Sequence, residues 1–358
     1  MHTLNQTFLD QIQNCTGPVL WVLDEHPFDL HPSLLPKHLQ ITFLSNRIDQ
    51  VNALKKSGIE CLFSDFDFSV FDRSLFEAIL YRVSKEKAVV HHIINQSASV
   101  LKEGGLLYLA GGKHEGIKTY TDKAAKYLNC DKQIEKLNKD LWLASLHNHH
   151  SDQTKLDDKN YSELTTIGTN NGLTFISKPG VFGWNKIDQG SDLLIEQMPE
   201  FIKRQNISDD LKTGRVLDLG CGYGYLLANM KPYGFSTFVG TDNNASAIAA
   251  IQATLAANDM EADIIPANCA DTITDPFDAI VCNPPFHQGF SVENEMTDRF
   301  LATTRRLLVS GGAALFVVNA FIPLEEKAKK YFKRIDLLAH NKSFKVIRLS
   351  GKRPVFKD

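Results

Sequence analysis

Apolar residues in the first third of the chain come in near-continuous runs rather than in alternation: Val19-Leu-Trp-Val-Leu-Asp24, Gln40-Ile-Thr-Phe-Leu-Ser45 and Cys61-Leu-Phe63, then Phe76 to Tyr81 and Gly105 to Ala110. Such runs predict strands covered on both faces. Lys87 to Leu101 has a helical period and is expected to end at Gly104-Gly105. Strands alternating with helices make a doubly wound α/β domain. The later part repeats this order. An amphipathic helix is expected over Ser191–Ile202, with strands at Val216–Leu219, Thr237–Asp242, Asp263–Ile265 and Phe277–Cys282. Two anchors superimpose the halves: Phe76-Glu-Ala-Ile79 on Phe277-Asp-Ala-Ile280, and Glu103-Gly-Gly-Leu-Leu-Tyr108 on Ser310-Gly-Gly-Ala-Ala-Leu315. The pattern predicts one domain duplicated in tandem, residues 1–154 and 155–358. Between the copies, the polar stretch Asn138–Tyr161, with His147-Asn-His-His150, reads as a solvated linker.

Chemistry gathers where strands of the second copy end. The run to Cys282 stops at Asn283-Pro-Pro-Phe-His287. Pro284 and Pro285 fix the backbone and lack N–H groups, so the chain is held stiffly at the carboxyl edge of a strand, where open α/β sheets bind ligands. The Asn283 amide oxygen and the Pro284 carbonyl are two acceptors suited to the two hydrogens of an exocyclic amine, and Phe286 can stack on its ring. Holding those hydrogens turns the amine lone pair toward an electrophile. Asn283, Pro284, Pro285 and Phe286 are therefore the catalytic candidates, and His287 is a candidate substrate contact.

Upstream, Val216-Leu-Asp-Leu-Gly-Cys-Gly-Tyr-Gly224 is a strand entering a glycine turn, with Gly220, Gly222 and Gly224 allowing close approach of a ligand. A glycine turn alone is shared with dinucleotide enzymes. Here Asp218 precedes the first glycine, is expected within the turn, and suits an ammonium. Asp242, followed by Asn243, ends the next strand where a ribose diol would lie. Asn268-Cys269 would flank an adenine. An ammonium, a carboxylate and a ribose describe S-adenosylmethionine better than NAD, which makes Asp218, Gly220, Cys221, Gly222, Gly224, Asp242, Asn243, Asn268, Cys269 and Asn283 the cofactor candidates. The first copy has Asp24-Glu-His-Pro27 in place of the glycine turn and Arg82-Val-Ser in place of Asn-Pro-Pro. It is expected to have lost both ligand sites and to serve in binding or support.

Composition changes this picture little. At 358 residues with 43% hydrophobic and 23% charged, the chain has room for two cores. No apolar run is long enough to span a membrane, and Met1-His-Thr-Leu-Asn-Gln has no signal-peptide pattern, so a cytoplasmic protein is expected. Six scattered cysteines without a C-x-x-C pair suggest neither zinc nor disulfides. A net charge of −3 speaks against a general polyanion binder. Yet Phe321–Asp358 holds 11 Lys/Arg against 4 Asp/Glu. Lys329, Lys330 and Lys333 within it are either a solvated helix face or a surface for RNA phosphates.

The second half resembles the class I S-adenosylmethionine-dependent methyltransferases, and its Asn-Pro-Pro-Phe is similar to that of amino-group methyltransferases. It is closer still to the RsmC type, the small-subunit ribosomal RNA guanine-N2 methyltransferases. The likeness rests on Pro179-Gly-Val-Phe182 with Asp188 and Gly190, on Val216–Gly222, on Asn283–His287, on Val318-Asn-Ala-Phe-Ile-Pro323 and on Phe344-Lys-Val346. Gly183-Trp184 and Tyr223 depart from the family pattern. The resemblance implies two tandem doubly wound Rossmann-like methyltransferase domains, the first a degenerate duplicate. It also implies a guanine 2-amino group of 16S ribosomal RNA, in the small subunit, as target; a monomeric enzyme needing no metal is expected. A large-subunit guanine-N2, an adenine-N6 or a glutamine-N5 methyltransferase remains open, as does an inactive ribosome assembly factor.

Overall fold

The computed structural model describes residues 3–149, 153–204, 214–285 and 290–354, with backbone alone for 290–294. The chain forms two compact units, Met1–Glu163 and Leu164–Asp358.

In the first unit the order is α1 (Leu4–Ile12), β1 (Val19–Leu23), β2 (Ile41–Ser45), α2 (Ile48–Lys56), β3 (Cys61–Phe63), β4 (Phe76–Arg82), α3 (Lys87–Val100), β5 (Leu101–Gly112), α4 (Ile117–Tyr127), β6 (Lys132–Lys136) and β7 (Leu141–His147). The second unit opens with the hairpin β8 (Thr165–Asn170) and β9 (Leu173–Ser177), then α5 (Gln189–Glu196) and α6 (Met198–Arg204). It continues through β10 (Arg215–Leu219), α7 (Tyr225–Asn229), β11 (Thr237–Asp242), α8 (Ala245–Ala257), β12 (Asp263–Pro266), β13 (Phe277–Cys282), α9 (Phe290–Leu307), β14 (Leu308–Asn319), α10 (Leu324–Ala328), β15 (Phe332–His340) and β16 (Phe344–Lys352).

The two sheets have one topology. The first runs β3-β2-β1-β4-β5-β7-β6 and the second β12-β11-β10-β13-β14-β16-β15. In each, the first five strands are parallel, the sixth runs antiparallel to them, and the seventh pairs antiparallel with the sixth. The non-alternating runs are explained by burial on both faces. Along β10, Val216 faces the core with α5, α7 and α8, while Leu217 and Leu219 face the one with Phe300 and Leu301 of α9. On β1, Leu20 and Val22 lie with α3 and α4, and Val19, Trp21 and Leu23 with α1.

The duplication extends to a defect. Gly104 (φ +72°) and Gly311 (φ +90°) sit where the pairings β4–β5 and β13–β14 shift register. A Cβ on the following glycine would come within 3.0 Å of the Lys102 carbonyl in one copy and 2.9 Å of the Asp278 carbonyl in the other. These glycines make a bulge. They are therefore not the end of the helix expected from Lys87 to Leu101, which stops at Val100. The helix expected over Ser191–Ile202 is two helices, with Pro199 at the start of the second, where its missing N–H costs nothing.

The stretch expected as a linker contains a strand. In β7, Leu143, Ala144 and Leu146 are buried, and β7 pairs along β5 from Leu141 to His147. Beyond it, Leu156 and the fully buried Tyr161 pack on the first core.

Candidate methyl-transfer site

Within the second unit, the candidate residues converge on the carboxyl edge of the parallel strands. Asn283 follows β13, the glycine turn follows β10, and Asp242 ends β11, these three strands being neighbours.

Asn283 is tightly held. Its Nδ2 donates to Asp188 Oδ2 at 2.8 Å and to Ser191 Oγ at 2.9 Å. A carboxylate oxygen has no hydrogen to give, so the end of the amide facing Asp188 is the NH2, and Oδ1 is left on the other side. Asp188 is the N-cap of α5, its Oδ2 also accepting from Ser191 N at 2.8 Å. In the sequence, Asp188 stands out only as part of the resemblance, and Ser191 only as the first residue of an expected helix. The signal was available: Asp188-x-x-Ser191 opening an amphipathic run is a helix start. Pro284 and Pro285 follow as expected, but Phe286 and His287 lie outside the described residues.

The glycine turn works by shape. Gly220, Gly222 and Gly224 all have positive φ, at +82°, +52° and +84°. A Cβ on Gly224 would strike Ile251 at 2.5 Å, whereas one on Gly222 would meet nothing within 4 Å. Gly222 therefore borders open space, where a ligand can lie against the backbone. The N–H groups of Gly220 and Cys221 both donate to Thr241 O, that of Gly224 to Cys221 O, and that of Gly222 to Asp242 Oδ2 at 3.1 Å. They already have partners, and α7 is only five residues long. These four backbone groups therefore shape the turn rather than stand as free donors. Cys221 contributes backbone, since its side chain is buried and burial pushes its thiol pKa well up.

Asp218 lies within β10, opposite Gly240 and Val281, rather than in the turn itself. It is 1% exposed. Its Oδ2 accepts from Leu227 N at 3.0 Å, while its Oδ1 is buried without a hydrogen-bond partner. Burial, with the nearby Asp242 charge adding to it, raises its pKa to about 8 despite the Leu227 hydrogen bond. A buried carboxyl oxygen with no partner fits a cationic ligand group, so the residues present suit the ammonium of S-adenosylmethionine.

Asp242 ends β11 as expected, its Oδ1 accepting from Asn244 N at 3.0 Å. Asn243 lies between them, half-buried. Asn244 caps α8 and donates through Nδ2 to Gly180 O at 2.9 Å, tying down the Pro179–Phe182 loop. Asn268 and Cys269 follow β12, and here the backbone is strained: Cys269 and Ala270 are both left-handed, at φ +53° and +55°. Helix α9 clamps this turn. Arg299 donates to Asn268 O at 2.8 Å, Thr303 to Cys269 O at 3.3 Å, and Arg306 to Ala270 O and Ile273 O at 2.7 and 2.5 Å.

Lys329, Lys330 and Lys333 are not brought to this edge. Leu337 of β15 stands level with Ile347, Phe316 and Cys282, and Lys333 precedes it by four residues, about 13 Å along a strand. That is toward the amino edge of the parallel strands, opposite Asn283. Strand β15 is also the sheet's outermost. Lys329 pairs with Glu326 at 2.7 Å, and Lys330 lies over the Tyr331 ring. The charge run had suggested one helix face, but α10 ends at Ala328 and the run continues into an edge strand.

Known proteins share this architecture. Residues 172–348 match the family model "Methyltransferase small domain", and residues 8–157 match "Methyltransferase small domain N-terminal". A solved structure from T. thermophilus, described as a 16S rRNA N2 methyltransferase (RsmC) in complex with AdoMet and guanosine, superimposes with a TM-score of 0.82. It covers 97% of this chain and 91% of its own at 22% identity. Among curated relatives, ribosomal RNA small subunit methyltransferase C of Shewanella loihica is 28% identical over 91% of this chain and 92% of its own length. The protein of the same name from Pseudomonas syringae is 31% identical over 78% of this chain and 80% of its own. Likeness at that level spans both units and goes past a common fold: the chain belongs to the ribosomal RNA small subunit methyltransferase C family.

Proposed function

We infer that this protein transfers a methyl group from S-adenosylmethionine to the exocyclic N2 amine of a guanine in 16S ribosomal RNA. The observation that carries this reading is the orientation of Asn283. With both Nδ2 hydrogens taken by Asp188 and Ser191, Oδ1 remains as an acceptor at the strand edge, and Pro284 follows it in the chain.

Asn283 Oδ1 and the Pro284 carbonyl take the two hydrogens of the guanine amine and point its lone pair at the methyl. S-adenosylmethionine supplies that methyl as a sulfonium, so one displacement forms the C–N bond as the S–C bond breaks. The proton then leaves the amine for water. Asp218 holds the ammonium, Asp242 with Asn243 the ribose, and the turn at Asn268-Cys269 borders the adenine. The open backbone at Gly222 gives the methionine part its approach. Phe286 and His287 would complete the base contact. The guanine must be unpaired or flipped out to reach the amine. The first domain supports RNA binding and takes no cofactor. On this reading the enzyme acts in the cytoplasm as a monomer, on RNA of the small ribosomal subunit, without a metal.

Mass mapping of modified nucleotides in ribosomal RNA from cells lacking the protein tests this. One N2-methylguanine should vanish from 16S RNA and return with the wild-type gene. An unchanged 16S map would refute the reading.

A further inference from the structure

Tyr223 stands inside the glycine turn, between Gly222 and Gly224. Its ring is 5% exposed, and its hydroxyl accepts a hydrogen bond from Asp188 N at 3.2 Å. Burial pushes the hydroxyl pKa up to about 12, so it stays protonated and uncharged. Asp188 in turn holds Asn283 through its carboxylate. The hydrogen bonds thus run from the cofactor turn, through Asp188, to the amide that faces the substrate.

Resting on the proposed guanine-N2 activity, we propose that Tyr223, Asp188 and Ser191 are positioning residues that fix the amide of Asn283. An asparagine amide has two orientations differing by a half-turn. The reversed one would set Oδ1 against Asp188 Oδ2 and Ser191 Oγ, and would offer NH2 groups to an amine that needs acceptors. The Asp188 carboxylate, an acceptor only, makes that orientation repulsive. A hydroxyl alone would not, because Ser191 can donate as readily as accept. The charge on Asp188 is therefore what selects the productive orientation. Tyr223 fixes the Asp188 backbone, and so sets where the carboxylate stands.

Asp188→Asn isolates this role, since asparagine caps helices about as well as aspartate and α5 should keep its start. An amide at 188 can present either end to Asn283, so both orientations become populated. Expected in full-length protein is a kcat about 10- to 100-fold lower, the scale of one charge-assisted hydrogen bond acting at the transition state, with cofactor Kd and Tm unchanged. Ser191→Ala and Tyr223→Phe should lower kcat about 3- to 10-fold each, the scale of a neutral hydrogen bond. A second readout needs no turnover. In protein labelled with 15N-asparagine, the side-chain amide signal of Asn283, assigned by its absence in Asn283→Ala, should exchange with solvent faster in Asp188→Asn than in wild type. Lower kcat together with faster exchange supports the assignment. An active wild type whose Asp188→Asn variant matches it in kcat and exchange overturns the assignment and leaves the activity standing. A wild type that methylates no guanine sinks both.

Discussion

The two domains are one fold with different contents, and strand register allows them to be compared position by position. Val19 pairs with Ala78 as Val216 pairs with Ala279, and Val19 pairs with Ile41 as Val216 pairs with Phe238. By that alignment Trp21 stands where the second copy has Asp218, Ser45 where it has Asp242, and Arg82 where it has Asn283. Each of these three positions has changed, while the strand order has not. Arg82 pairs with Glu115 at 3.3 Å, and His26 comes within 3.5 Å of the same carboxylate. A cavity of about 170 Å³ remains at that edge, lined by Phe8, Trp21, Asp24, His26 and Arg82 among others. Of the two acids that line it, Asp24 is buried, which raises its pKa, and accepts a hydrogen bond from Tyr81. The parallel-strand edge thus persists without counterparts of Asp218, Asp242 and Asn283 at the matching register positions. A fold supplies the place, and a few side chains decide whether anything happens there.

The largest way to test this contrast is at equivalent positions. Asn283→Ala should lower kcat at least about 100-fold, the scale of removing a preorganised transition-state contact, with cofactor affinity unchanged. Arg82→Ala, its counterpart, should leave kcat as it was. Steady-state methylation of 16S RNA or subunits compares the two. Equal losses would mean that the first domain takes part in the chemistry.

Cofactor binding should show the same asymmetry. Titration calorimetry of the full chain should find one S-adenosylmethionine per molecule, and Asp242→Ala should weaken it by about 1–3 kcal/mol. A second saturable site that survives this substitution would assign the cavity of the first domain to the cofactor.

Proton linkage is a sharper test. With its pKa raised to about 8, Asp218 is mostly protonated at pH 7 in the free protein. An ammonium placed against it lowers that pKa, so binding expels the proton. Affinity should therefore rise as pH rises toward 8 and level off above it. Calorimetry at pH 7 in buffers of different ionisation enthalpy should show close to one proton released. Asp218→Asn should remove the release. Trp21, at the same register in the other copy, has no proton to contribute.

The smallest effect is expected from neutralising Lys329, Lys330 and Lys333. At the opposite edge of the sheet from Asn283, they should alter the salt dependence of RNA affinity only slightly and kcat not at all. A markedly flatter slope of log Kd against log salt would show RNA wrapping round to that edge.

Much of this was legible in the chain. Parallel strands buried on both faces announce themselves as unbroken apolar runs, so β1, β2, β4, β10, β11 and β13 were placed within a residue or so. The antiparallel strands β6, β7, β15 and β16 were not. β6 and β15 are outer strands with several exposed charged residues, and β7 sits among polar neighbours that resemble a loop. At the site, Asn283, the glycines and Asp242 could be read because they interrupt or end strands. What sequence could not supply was who touches whom. Asp188 lies 95 residues from Asn283, and only the folded chain shows that one carboxylate orients the other's amide. Nor could a basic run reveal which edge of the sheet it would reach.

The identical strand order of the two sheets also bears on how the chain folds. Each parallel pairing joins strands distant in sequence, which is slow, and every strand of either seven-stranded sheet has a counterpart in the other. Swapped pairing between copies is a known failure of repeated domains. Here the copies differ in what their equivalent strands bring: Trp21 is fully packed against Phe8, Phe28 and Phe43, whereas Asp218 in the matching strand is a carboxyl. Exchanging β1 for β10 would bury an acid among those rings and leave an indole over the glycine turn. The difference between the copies at these positions thus disfavours exchange of equivalent strands between them.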